Sequence, residues 1–444
     1  MSKSVTGPEA DTASGICLVR RHLPPAGSKS PASGRRTPTV PPAWHRLETA
    51  RQTCSVRLPR GCAAPSFEQR QAMASDFKSQ MLPPLEAAGI VPNGPNPWDP
   101  QIHNEKFWDR LLAEGSLGLG ESYMDGWWDV ADMAEFFNRI LRSKAPEKLK
   151  LNPRLIWQYA QARFFNMQDI AKSKRVAQMH YSETEAYKAS LDKRMTGSCG
   201  YWPEGVTNVD EAQEAKLDLV CRKVGLKPGQ LVWDIGCGWG AFMGFAAEKY
   251  GARCVGVTVS PDQAAYGRER YKGLPIEFQV KDYREFEGKT DHVVSMGMFE
   301  HVGHKNYRTY FEAARRVIKD DGLFMLHTIG SQWSTESIEP WLEKYIFPGG
   351  VIPSIAQIGK AIDGLFSVID LHNIGPHYDK TLVAWYENFD RNWKKDRNAE
   401  EERFYRLWKY YLLCCAGGFR AKVLQVWQFV FSTGGVPDGY VTQR

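Results

Sequence analysis

At 444 residues the chain is too long for one ordinary domain, so two domains and an extension are expected, with a 43% apolar and 12% aromatic content ample for a packed core. The net charge of +6 is local: residues 1–72 hold eleven Lys and Arg against four Asp and Glu, and the other 372 residues sum to −1. Nine cysteines with no CxxC pair and no zinc spacing exclude an obvious disulfide framework or zinc site and fit a reducing cytoplasm.

Residues 1–72, typified by "PPAGSKSPASGRRTPTVPPAW", lack apolar periodicity and cannot bury enough surface to offset the entropy of ordering. They read as a disordered tail, as sequence ahead of a true start at Met73, or as a targeting segment. From 73 to about 175 the pattern is helical: "NEKFWDRLLAEG" and "DMAEFFNRILRS" place apolar residues three and four apart. Between them "GSLGLGESYMDGWWDV" predicts a tight glycine turn whose Tyr123, Trp127 and Trp128 pack on the helices or dock a lipid or partner.

From about 205 helices and strands alternate. "DEAQEAKLDLVCRKVG" is a helix with a glycine stop, "QLVWDI" a strand, "GAFMGFAAEKYG" a helix and "ARCVGVTV" a strand. Ser260 and Pro261 open the helix "SPDQAAYGRERYKG" as cap and first turn. "IEFQV", "HVVSMGM" and "GLFMLHTIG" are further strands, with the helix "NYRTYFEAARRVIKD" between the last two. Two helical stretches (380–396 and 400–416) and a final strand, "KVLQVWQFVFS", close the chain, and "KKDRNAEEER" at 394–403 reads as a solvated helix face. Repeated βα units imply a mostly parallel sheet flanked by helices, an α/β Rossmann-like fold. No window approaches the roughly 20 apolar residues of a membrane-spanning helix.

"VWDIGCGWG" sets a strand and an acid, Asp234, before glycines that open a helix. Gly236, Gly238 and Gly240, with Cys237 among them, let the backbone approach a ligand at the helix N-terminus. The spacing D-x-G-x-G-x-G differs from the G-x-G-x-x-G of a pyrophosphate cradle. An acid there repels phosphate and attracts an ammonium, which S-adenosylmethionine carries. After the next strand Thr258, Ser260 and Gln263 offer neutral hydrogen bonds to a ribose. After the third, Asp282 could accept from an adenine amino group with Tyr283 on the ring, and either would equally serve as ordinary surface.

From about residue 82 onward the chain resembles the cyclopropane-fatty-acyl-phospholipid synthases. The resemblance rests on "GSLGLGESYMDGWW", "SCGYW", "DIGCGWG", "GVTVS", "KDYRE", "GMFEHVG", "LHTIG", "KYIFPGG", "HYDKTLVAWYENF" and "CCAGGFRA", in that order. Mycolic-acid cyclopropane synthases share the catalytic half, while "YMDGWW" favours the phospholipid-acting branch. The resemblance implies a class I S-adenosylmethionine-dependent methyltransferase, with a seven-stranded, mostly parallel sheet at 176–444 and a helical domain at 73–175 for lipid and dimer contacts. It implies transfer of a methylene to the cis double bond of a phospholipid acyl chain, through a carbocation deprotonated by bound bicarbonate. The positions matching the bicarbonate ligands are Cys199, Glu300, His327, Ile329 and Tyr378, and Cys415 matches a cysteine marked as active-site in the family. His301 is expected to point elsewhere.

The family's "YSCAYW" is "GSCGYW" here, which puts Gly197 and Ser198 at the cofactor with Gly197 in place of a tyrosine, and "HYDxGN" is "HYSETE" at 180–185. Tyr345, Phe347, Trp385 and Tyr386 are candidate walls of a dry aromatic cavity. The expected setting is the inner face of the cell membrane, by peripheral contact, in a possible homodimer with no metal and no nucleic acid. The alternatives are a lipid methyltransferase making methyl-branched or hydroxylated chains, and a small-molecule methyltransferase.

Overall fold

The computed structural model describes residues 67–143 and 179–444. The expected extension up to residue 66 and the expected boundary at 175/176 lie outside them, as do the side chains of 180–184 in "HYSETE". The described residues fall in one compact unit.

Four helices lead: α1 (Phe67–Ala87), α2 (Lys106–Glu114), α3 (Ser116–Met124) and α4 (Met133–Ser143). A short antiparallel ladder of β1 (Gln101–Ile102) and β2 (Trp128–Asp129) ties them together. Helix α3 corrects the tight turn expected for "GSLGLGESYM". Glycine disfavours helix, but here packing requires it: a Cβ on Gly118 would strike the Arg110 carbonyl, and one on Gly120 the Trp341 indole. Tyr123 and Trp128 are buried, so these aromatics are core rather than docking surface.

After α5 (Met179–Ser190) and α6 (Val209–Lys223) the βα alternation begins. It runs β3 (Leu231–Ile235), α7 (Ala241–Tyr250), β4 (Arg253–Thr258), α8 (Pro261–Arg270), β5 (Ile276–Val280), β6 (Thr290–Met296), α9 (Tyr307–Val317) and β7 (Ile318–Ser331). Then come α10 (Pro340–Tyr345), α11 (Ile355–Ile362), β8 (Ser367–Asn373), α12 (Pro376–Asn392), α13 (Ala399–Arg420) and β9 (Leu424–Ser432). Ser260 caps α8 as expected, its Oγ accepting from Gln263 N–H at 3.3 Å.

The sheet order is β5-β4-β3-β6-β7-β9-β8; β3 to β7 are mutually parallel, and β9 runs antiparallel to both its neighbours. This is the seven-stranded, mostly parallel sheet that the resemblance implied, and its strand order reverses between β3 and β6, where such folds bind ligands. Strand β8 and helices α10 and α11 went unread. β8 is an edge strand, "SVIDLHN", half of it solvent-facing, with no apolar run to announce it. One apolar cluster joins the leading helices to α12 and α13, burying Trp108, Trp128, Phe136, Trp341, Trp385 and Trp408 together.

Candidate active site

The ends of β3 and β4 make the first half of the site. β3 delivers Asp234, nearly fully buried, and then turns at Gly236, whose φ of 82° and lack of a Cβ leave room for Met298. The Gly236 and Cys237 amides donate to Val257 O at 3.1 and 3.0 Å, locking the turn to β4. Burial drives the Asp234 carboxyl up to about 7, opposed by the Lys216 ammonium. Beyond β4, Thr258 Oγ1 lies 2.8 Å from Gln263 Oε1 and accepts from Ser260 N–H at 3.1 Å, so the three neutral residues hold one another. Asp282 accepts twice from the Arg284 guanidinium, at 2.7 Å each, which holds its carboxyl below the usual range; its remaining lone pairs stay open to an amino group. Tyr283 is buried edge-on to Tyr310.

The ends of β6 and β7 make the second half. The register pairs Met296 with His327, and Gly297 N–H donates to the His327 carbonyl at 2.9 Å. Glu300 sits in the 3-10 turn Phe299–His301 that follows. Its Oε1 accepts from Ile329 N–H at 2.6 Å, while Oε2 is buried with no hydrogen-bond partner among the described residues. Burial pushes this carboxyl up and the Ile329 amide opposes the shift. His327, fully enclosed and held neutral by burial, receives Gln428 Nε2–H on Nδ1 at 3.3 Å, which leaves the proton on Nε2. Tyr378, on the first turn of α12, lies 4.7 Å from Phe419, the two rings tilted by 40°. Burial pushes its phenol up, and Cys199, Glu300 and Cys415 lie within electrostatic reach. The Cys199 thiol is likewise raised by burial, so it stays protonated and is no nucleophile. Thr381 Oγ1 accepts from Gly200 N–H at 3.1 Å and Trp202 Nε1–H at 2.9 Å, pinning the 197–202 loop to α12.

The expected site residues, Gly240 apart, border one cavity of about 1680 Å³. Gly197, Ser198, Cys199, Asp234, Gly236, Cys237, Gly238, Thr258, Ser260, Gln263, Asp282, Tyr283, Glu300, His327, Ile329, Tyr378 and Cys415 line it. Gly240 does not: at φ 86° it starts α7 where a Cβ would hit Phe278. His301 corrects the expectation that it points away, for it also borders the cavity, its ring 5.6 Å from Phe347. Phe347 and Trp385 are walls as expected, but Tyr345 and Tyr386 are not among them. Tyr345 donates to Glu121 at 2.8 Å, and Tyr386 lies under the Lys409 ammonium. The cavity continues between the leading helices, where Phe77, Phe107, Trp108, Leu112 and Phe136 extend it as an apolar channel. Among the described residues no group of His, Cys, Asp or Glu is placed to hold a metal, and no helix is long and apolar enough to cross a membrane.

The family model for mycolic acid cyclopropane synthetase matches residues 168–429. The chain belongs to the mycolic acid cyclopropane synthetase family. It is similar to the cyclopropane-fatty-acyl-phospholipid synthase of Escherichia coli K12, 44% identical over 351 residues, which is 79% of this chain and 92% of that one. It is also similar to cyclopropane mycolic acid synthase 1 of Mycobacterium tuberculosis, 34% identical over 57% of this chain and 94% of the relative. Among solved structures, a mycolic acid cyclopropane synthase complexed with SAH and CTAB aligns with a TM-score of 0.52 at 32% identity, covering 56% of this chain and 93% of that one. This member of the synthetase family is an S-adenosylmethionine-dependent methyltransferase. The glycine turn fits that ligand, because the buried acid Asp234 and the Cβ-free backbone of Gly236 and Gly238 face the cavity just before a helix N-terminus. Sequence reasoning missed Lys216 and Gln213, which reach the Ser198 hydroxyl and carbonyl at 2.9 and 2.8 Å. The signal was a lysine on the stripe of α6 shared with Ala212, Leu219 and Val220.

Proposed function

We propose that the chain is a cyclopropane-fatty-acyl-phospholipid synthase, which transfers a methylene from S-adenosylmethionine to the cis double bond of an unsaturated phospholipid acyl chain. The observation that carries this reading is the continuity of the cavity, from the Asp234 turn past Glu300 and His327 into an aromatic channel among the leading helices. Such a channel suits a long hydrocarbon and far exceeds what a small methyl acceptor requires. The 351-residue match to the Escherichia coli relative is longer than the expected catalytic part, so the likeness reaches into those helices.

When bound, S-adenosylmethionine supplies an electrophilic methyl group and bicarbonate a weak base. Asp234 and the glycine amides would hold the former. Glu300 Oε2, an acceptor with no partner among the described residues, and His327 Nε2–H, a donor, would hold the latter along with Cys199 and Tyr378. The Ile329 amide, expected among those ligands, is instead engaged with Glu300 and orients that carboxylate. A C–H bond beside a carbocation is very acidic, so a weak, well-placed base suffices to close the ring. The walls must exclude water, which would trap the cation as an alcohol. Trp385, Tyr378 and Phe419 present aromatic faces there, where positive charge is steadied. The substrate lies in a bilayer, so the work is done by peripheral contact at the inner face of the cell membrane.

A second reading has support from one relative: a tuberculostearic acid methyltransferase of Mycobacterium tuberculosis, 32% identical over 74% of this chain and 81% of that one. On that reading the same cation takes up a hydride from an added reductant, such as a reduced nicotinamide, and ends as a saturated methyl branch. Mass spectrometry of lipids from cells expressing the chain separates the two. Ring formation adds one CH2 to an unsaturated chain, whereas a saturated methyl branch adds CH2 and two further hydrogens; the second product would overturn the first reading.

A further inference from the structure

Lys216 is turned inward on α6 and has no exposed surface. Its ammonium donates to a single described oxygen, Ser198 Oγ at 2.9 Å, with Met296 Sδ 3.8 Å away. An ammonium has only donors. Ser198 therefore receives that bond on an oxygen lone pair, and its own O–H must be directed elsewhere. Among the described residues no acceptor takes that proton, and Ser198 borders the cavity beside Gly297 and on the same lining as Asp234. The backbone around it is fixed: Gln213 Nε2 donates to the Ser198 carbonyl at 2.8 Å, and Asp192 accepts from Thr196 N–H at 2.7 Å. Burying an ammonium with so few partners is expensive, which argues that the lysine is there for a ligand.

We infer that Lys216 is a positioning residue for the amino-acid end of S-adenosylmethionine: it makes the Ser198 hydroxyl an oriented donor to the ligand's carboxylate, while Asp234 faces the ammonium. A bond accepted by a hydroxyl polarises its own O–H and strengthens the bond it donates. The inference rests on the placement of S-adenosylmethionine in this cavity and not on what happens to the lipid. Burial lowers the lysine to about 8, with Asp192, Cys199 and Asp234 opposing that shift, so the charge persists at neutral pH.

The test is equilibrium binding of S-adenosylmethionine and of methylthioadenosine, which lacks both the carboxylate and the ammonium. The wild type is compared with Lys216→Met, Lys216→Gln, Ser198→Ala, Ser198→Thr and the Lys216→Met/Ser198→Ala pair. Lys216→Met and Ser198→Ala are each expected to weaken S-adenosylmethionine binding about tenfold. The double variant should lose no more than either single one, as residues acting through one bond do. Lys216→Gln, which keeps an N–H donor, and Ser198→Thr, which keeps the hydroxyl, should recover part of the loss, and methylthioadenosine should bind all of them alike. Equal weakening of methylthioadenosine, or full S-adenosylmethionine affinity in Ser198→Ala, would overturn the inference, the latter even if the lysine variants fail to fold. Because no lipid is present, absence of ring formation would count against the proposed reaction and leave this result standing.

Discussion

The carboxyl groups of Glu300 and Asp234 are both pushed up by desolvation, yet their surroundings give them different work. Glu300 is oriented by the Ile329 amide and keeps an oxygen with no hydrogen-bond partner among the described residues. Glu300→Gln is expected to cut turnover about a hundredfold, the scale of a lost proton acceptor, and to leave S-adenosylmethionine affinity unchanged in a calorimetric titration. Asp234 carries a folded-state value of about 7, above its ordinary 3.8. The sign follows: this acid favours the folded chain most below its ordinary value, and that contribution is lost as pH rises through 7. Across the same window the carboxylate becomes available to an ammonium, so S-adenosylmethionine affinity should climb from pH 6 to about pH 7, before Lys216, lowered to about 8, loses its own proton. The charged neighbour is Lys216; Cys237, Cys254 and Tyr310 are pushed up by burial and stay neutral there. Flat affinity over that range would contradict the role given to Asp234. Cys415 lies on the apolar wall beside Cys414, and a route through a carbocation needs no thiol, so Cys415→Ala should keep most of the activity. At this scale much was legible: an acid before spaced glycines carries its own chemistry. The lysine behind Ser198 was not, because a buried lysine looks like any other until its helix is docked.

Among the elements, α3 and α10 are joined by a buried ionic node. Glu121, 6% exposed at its side chain, accepts from Lys344 Nζ at 2.5 Å and Tyr345 Oη at 2.8 Å and also pairs with Arg110. Arg110 reaches Asp125 at 2.6 Å as well. The three cationic and phenolic partners hold Glu121 ionised against the cost of burial. Glu121→Ala takes one partner from Arg110, which keeps Asp125 and Glu114, and removes the pair of the half-exposed Lys344, so a loss of about 1 to 2 kcal/mol is expected in denaturant unfolding. Since Leu342 and Phe347, flanking this node, border the cavity, lipid KM should rise with it. A stability change below the measurement error would show the node to be incidental. The βα units were legible from apolar runs and capping residues such as Ser260. α3 was not, because its glycines are chosen by contacts with Arg110 and Trp341, far off in sequence for the latter.

For the molecule as a whole, the parallel sheet followed from local alternation, while the joining of the leading helices to α12 and α13 is non-local. Gly417 shows why: a Cβ there would meet Phe137 and the Ala134 carbonyl across the seam. That seam forms the apolar end of the cavity, so the central claim is that one dry chamber serves both the methyl donor and a hydrocarbon chain. The most direct test is a reaction of the purified chain with vesicles of unsaturated phospholipid and S-adenosylmethionine bearing a CD3 methyl group. The expected product is an acyl chain gaining CD2 as a ring, with output falling when bicarbonate is removed and nearly abolished in Glu300→Gln. A product that retains the whole CD3 group, or carries a hydroxyl from water, would contradict the account.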